Sequence, residues 1–180
     1  MEKSYSGKLK ATGCFFSLFI FCFFTVQQPK EKAEEYNLKA AFIYNFTKYI
    51  EWSAASTSNE FVIGIIGSSL INDPLVEIVK TETVNDKKII IRQFSKPEDI
   101  SFCHILFIPQ KTTFPLDEIL AKTSKGTLVV SEKNGYASQG TALNFVIVGN
   151  KLKFEANVKA INAAGLTASS QLLKLAIIIK

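Results

Sequence analysis

One stretch has the residue types to hold a phosphate: Gly64-Ile65-Ile66-Gly67-Ser68-Ser69, glycines and hydroxyls between an apolar run and a helical pattern. Backbone N–H groups at a helix N-terminus attract anions, which makes Gly67, Ser68 and Ser69 candidate ligand-binding residues. The spacing matches neither G-x-G-x-x-G nor G-x-x-x-x-G-K-[ST], and no acidic ribose partner can be identified. A tight strand-to-helix turn explains the same glycines more simply. His104 is the only histidine, and it precedes Ile-Leu-Phe-Ile. A zinc site wants several His or Cys ligands. A hydrolytic triad needs a placed nucleophile and acid, and no serine, Ser131 included, sits in a G-x-S-x-G elbow. The paired carboxylates Glu98-Asp99 and Asp117-Glu118 read as turn and helix-start chemistry, since negative charge suits the first turn of a helix. These residues compose no catalytic, metal or cofactor site, so the chain reads as non-enzymatic.

The aromatic segment 39–52 is the better place to look for recognition. Leu38, Phe42, Asn45, Tyr49 and Trp52 fall on one helical stripe, widened by Ala41, Phe46 and Ile50. Phe42, Phe46 and Tyr49 read as core. Tyr44, off that stripe, and Trp52, at its end, are candidate partner contacts, because aromatic residues are enriched at interfaces.

These residues need elements to position them. Residues 61–66, 87–94, 103–108 and 127–131 read as strands, separated by helical patterns at 70–81 and 116–122. Two further strands, 142–148 and 151–155, flank the hairpin signal Gly149-Asn150. Asn157 is placed to cap a helix that stops at Gly165, and Thr167 to cap a last helix facing Leu172, Leu173, Leu175, Ala176 and Ile179 inward. The expected fold is a single α/β sandwich with a central mixed sheet of about six strands flanked by helices, over residues 36–180.

The N-terminus carries Lys3, Lys8 and Lys10 before an apolar run, 14–26, that contains six Phe. A basic segment followed by a short apolar one is the layout of a signal peptide, assigned to residues 1–27, with an uncleaved membrane anchor as the alternative. Residues 28–35 read as a linker. Removing residues 1–27 takes the net charge from +5 to +3, and the Lys87-Lys88 and Arg92 group is too thin for a nucleic-acid footprint. Cys14 and Cys22 fall in the export segment. Cys103 is then left without an intrachain partner, a buried small hydrophobe or, alternatively, an intermolecular bridge or reactive thiol.

Three blocks in order resemble the YfiR-like family of small periplasmic proteins: KAAFIYNFTKYIEW at 39–52, CHILFI at 103–108, and a C-terminal pattern that includes Ser131-Glu132, Asn144-Phe145, Asn157, Ala164-Gly165-Leu166 and Leu172-Leu173. Ser53, Thr141 and Ala156 depart from the family's pattern. The resemblance implies a dimeric, non-catalytic regulator in the periplasm. It would bind the periplasmic domain of an inner-membrane diguanylate cyclase or sensor kinase, and an outer-membrane lipoprotein could sequester it. The resemblance brings no catalytic residue and no cofactor. The rival reading is a periplasmic small-ligand binder using Gly67, Ser68 and Ser69.

Overall fold

The structure is a computed structural model that describes residues 1–3, 27–52 and 59–179. The first helix, α1 (Gln27–Phe46), buries Tyr36, Lys39, Ala40, Ile43 and Phe46, an i, i+3, i+4, i+7 face that runs through a lysine. The apolar stripe expected through Leu38 and Asn45 is therefore out of phase, and both of those residues are exposed. Residues 28–35, expected as a linker, are the first turns of this helix. Lys30, Glu31, Lys32 and Glu34 point to solvent there, and the charged series is helix-favouring despite Pro29, which a first turn tolerates. The segment expected as a signal peptide falls almost wholly on residues 4–26, outside the described residues.

The helix does not reach Trp52. Successive N–H groups of Thr47, Lys48 and Tyr49 bond three residues back, tightening the last turn, and the chain enters a strand, β1 (Ile50–Trp52). Next come β2 (Glu60–Ile66), α2 (Asn72–Val79), β3 (Thr83–Val84), β4 (Lys87–Phe94), a short 3-10 turn (Pro97–Asp99) and β5 (Ile105–Ile108). The remainder is α3 (Leu116–Ala121), β6 (Leu128–Ser131), β7 (Leu143–Val148), β8 (Lys151–Asn157), α4 (Val158–Ala163), β9 (Leu166–Ala168), α5 (Ser170–Leu175) and β10 (Ile177–Ile179).

All six expected strands form and lie in one mixed sheet, but the sheet has eight, in the order β10-β8-β7-β6-β5-β2-β4-β3. It curls into a half-barrel rather than lying flat. The two extra strands are edges of three and two residues, held by tertiary pairing to β8 and β4, and are too short to show a period in sequence. A separate antiparallel ribbon joins β1 to β9. This ribbon claims Thr167, so the expected cap of the last helix moves to Ser169, whose Oγ accepts the Leu172 N–H at 3.2 Å. Leu175, expected to face inward, is 69% exposed. Asn157 does cap α4, accepting the Ala160 N–H at 3.0 Å, and Gly165 ends it at φ +75°.

Alternation in β2 divides the interior. Phe61, Ile63 and Ile65 join the core under α1, α2, α4 and α5, whereas Val62 and Ile66 join a smaller core under α3 with Phe94, Cys103, Leu106 and Ile119. A strand covered on both faces is near-continuously apolar. Gly64 faces the smaller core, where a Cβ would stand 2.6 Å from Phe94 Cε2 and 3.0 Å from Cys103 Sγ. Gly64→Ala should cost about 2 kcal/mol and lower the melting temperature by about 6 °C, as followed by circular dichroism.

Candidate functional site

Tyr36 and Lys39 of α1 reach the carboxyl ends of β5 and β6. From β2 the chain goes to β4 on one side and then crosses back to β5 on the other, so β2 and β5 flank a topological switch point, where open α/β sheets bind ligands. Gly67, Ser68 and Ser69 follow β2 at this edge. Gly67 has φ +74° and donates its N–H to Phe94 O at 2.8 Å, while its carbonyl accepts from Gln93 Nε2 at 2.7 Å. Ser69 Oγ accepts the Ile71 N–H at 3.2 Å. Nothing lies within 4 Å of a Cβ built at Gly67, so the loop is open on that side.

At the same carboxyl edge, Glu132 follows β6 and is buried. Its carboxylate accepts the Tyr36 hydroxyl at 3.0 Å, the Lys39 ammonium at 2.5 Å and the Gln110 N–H at 3.0 Å. Lys39, itself buried, also pairs with Glu35 one turn back, and lies over the Tyr36 ring at 4.6 Å. Burial and the neighbouring carboxylates raise the Tyr36 pKa, which keeps the phenol protonated. A carboxylate with three donors in place fixes a helix rather than moving a proton. Sequence reasoning passed over this cluster because its partners lie 93 and 96 residues apart.

Alongside it, Ser131 Oγ donates to Asn144 Oδ1 at 2.7 Å and lies 2.9 Å from Thr141 Oγ1, while Asn144 Nδ2 donates to Glu155 at 2.9 Å. These bonds satisfy buried polar atoms and leave Ser131 without a base.

Trp52 and His104 come together. The indole N–H donates to His104 O at 3.3 Å, Trp52 meets Phe61 edge-on, and the His104 ring stacks on Phe61 at 4.4 Å. His104 Nδ1 accepts the Val62 N–H at 3.0 Å, standing in for a ladder carbonyl where β5 begins. Its proton therefore sits on Nε2. Burial, with Lys87 adding to it, lowers the pKa of His104 to about 4. Burial likewise pushes the Cys103 thiol up to about 12, which leaves it unreactive.

Tyr44 is not brought to this group. It is half-buried, with its hydroxyl on Glu82 at 2.5 Å and Lys48 over its ring at 4.5 Å, and it ties α1 to the residue before β3. A cleft of about 250 Å³ opens at the other end of the strands, between Leu120, Lys125 and Ala160. Among the described residues no cluster of His, Cys, Asp or Glu could hold a metal ion.

The family described as DUF4154, YfiR/HmsC-like, matches residues 36–177. The match begins at Tyr36, the first residue of α1 to reach Glu132. No curated protein matches the chain.

Glu132→Gln should leave Lys39 buried with Glu35 alone and lower unfolding free energy by about 3 kcal/mol. Urea titration checks this, and adding Lys39→Met to that variant should recover most of the loss. His104 takes up a proton near pH 6.5 when unfolded but only near pH 4 when folded. Its contribution is complete above pH 6.5 and is lost as pH falls toward 4. Stability should drop by about 2 kcal/mol from this group between pH 7.5 and 5. His104→Asn, whose carbonyl takes the same N–H without titrating, should remove that part of the pH dependence in urea melts.

Proposed function

Because the chain belongs to the YfiR/HmsC-like family, a family of non-enzymatic periplasmic regulatory proteins, we propose that its target is the periplasmic domain of an inner-membrane diguanylate cyclase or sensor kinase. The observation that carries this is the span of the family match, which takes in all of the main sheet but the last two residues of β10, and the Tyr36–Glu132 and Lys39–Glu132 contacts. A protein with no chemistry of its own changes a receptor's output by preferring one of its conformations. To move that equilibrium from mostly active to mostly inactive, it must bind the inactive form roughly 10⁴-fold more tightly.

In this reading the regulator works as a homodimer, and an outer-membrane lipoprotein competes for it. Tyr44 and Trp52 are its contact residues, Tyr44 through the part of its ring left open beside Lys48 and Glu82. A second reading, a small ligand at Gly67, Ser68 and Ser69, draws on the position of that loop at the switch point and on the open space beside Gly67.

Affinity capture from a cell-envelope extract, with tagged residues 28–180 as bait and mass spectrometry of the eluate, tests the first reading. A membrane cyclase or kinase should be enriched, Tyr44→Ala should reduce its recovery several-fold, and Gly67→Val should not. A folded, dimeric bait that enriches no membrane signalling protein overturns it and favours the ligand reading.

A further inference from the structure

Among the described residues, the edge of the main sheet beside β4 has hydrogen-bonding positions that no strand fills. β3 covers only the start of β4, pairing Thr83 with Lys88 and Val84 with Lys87. Asn85 and Asp86, at φ 49° and 63°, form a two-residue turn, so Val84 and Lys87 are the pair that exchange hydrogen bonds. By alternation the N–H and C=O groups of Ile89, Ile91 and Gln93 point the same way as those of Lys87, away from β2. The bond from Gly67 N–H to Phe94 O fits this parity, since it runs toward β2. Among the described residues, no strand pairs with residues 89–94 on that outer side.

Sheet edges are usually blunted by shortness, charged side chains (Lys above all), proline, a bulge or an inward charge. Here β4 carries Lys87, Lys88 and Arg92, which repel a like-charged strand but not an acidic one. β4 is eight residues long, runs Ile-Ile-Ile through its middle and has no proline. What is missing beside it is specified by its valences, namely an extended backbone. Ile89 is buried, whereas Ile91 is partly exposed and Gln93 exposed. We infer that the outer edge of β4, at Ile91 and Gln93, accepts a strand from the receptor by β-augmentation. The identity of the donor rests on the regulator reading above.

A second copy of this chain fits poorly. Two-fold pairing centred on Ile91 would drive the partner's Phe94 into the place that β3 occupies beside Lys88, and centring on Arg92 would set the two guanidinium groups opposite each other. Centring on Ile90 would oppose Lys88 and Arg92, and registers beyond Arg92 would pair only residues 92–94. A free segment from another protein meets none of these obstacles. Lys88 and Arg92 flank Ile90 on one face of the strand, so the incoming segment should alternate apolar and acidic residues.

The test uses residues 28–180 and a blocked seven-residue peptide alternating valine and glutamate, read by fluorescence anisotropy and amide hydrogen exchange. At saturation the amides of Ile91 and Gln93 should exchange at least about tenfold more slowly, and the peptide with lysine for glutamate should bind at least about tenfold more weakly. Gln93→Pro removes one outward N–H and should abolish most of the binding. If that variant fails to fold, the wild-type footprint decides. Protection elsewhere, equal binding of the lysine peptide, or no protection at about 1 mM peptide overturns the inference. The peptide needs no receptor, so this test can fail while envelope capture succeeds, and the reverse.

Discussion

Burying the Lys39 ammonium costs several kcal/mol unless an anion meets it, and Glu132 is the anion that does so from the sheet. The rest of the architecture is consistent with that one constraint. Tyr36 and Lys39 belong to α1, Gln110 follows β5 and Glu132 follows β6, so a single carboxylate sets the height and rotation of the helix over the sheet. Aromatic packing completes the fit one and two turns further on. Phe42 and Phe46 lie 5.2–6.1 Å from the rings of Phe145 and Phe154, distances at which aromatic pairs add to simple area burial.

With α1 fixed in that way, Tyr44 reaches Glu82 and anchors the approach to β3. The β3–β4 hairpin is thus held from the helix side as well as by its own turn. The edge is covered beside Lys87 and Lys88, Ile89 is buried, and among the described residues no strand pairs with Ile91 or Gln93 on the outer side. An edge whose covered length is set by a fixed hairpin offers a defined register to an incoming strand, whereas a fraying one would not.

Much of this was legible in sequence where local chemistry decides. The Gly149-Asn150 turn takes φ 56° and 58°, the left-handed pair that a two-residue hairpin demands. Asn157 and Gly165 mark the ends of α4 because capping acts within one turn. What stayed hidden depends on distant partners. An apolar-stripe reading rotates α1 away from Lys39, since nothing near residue 39 announces that residue 132 will neutralise it. β1 and β9 are three residues each and exist only as a pair. Thr167 and Ser169 are equivalent caps in sequence, and pairing of Thr167 with Glu51 decides between them. The run Ile177–Ile179 leaves the helix because three β-branched residues in a row fit a pleated edge better.

Two groups that the sequence makes tempting, His104 and Cys103, are each held in one state, and so is Tyr36, which it does not single out. His104 stays neutral down to about pH 4, the Cys103 thiol is held protonated up to about 12, and Tyr36 is kept a phenol by burial and by the Glu132 carboxylate it donates to. Between about pH 4 and pH 12 the folded form keeps His104 neutral and Cys103 protonated, so neither group changes charge near neutral pH. What remains free to vary is shape and backbone valence at the surface, which suits a regulator that acts by being bound or released.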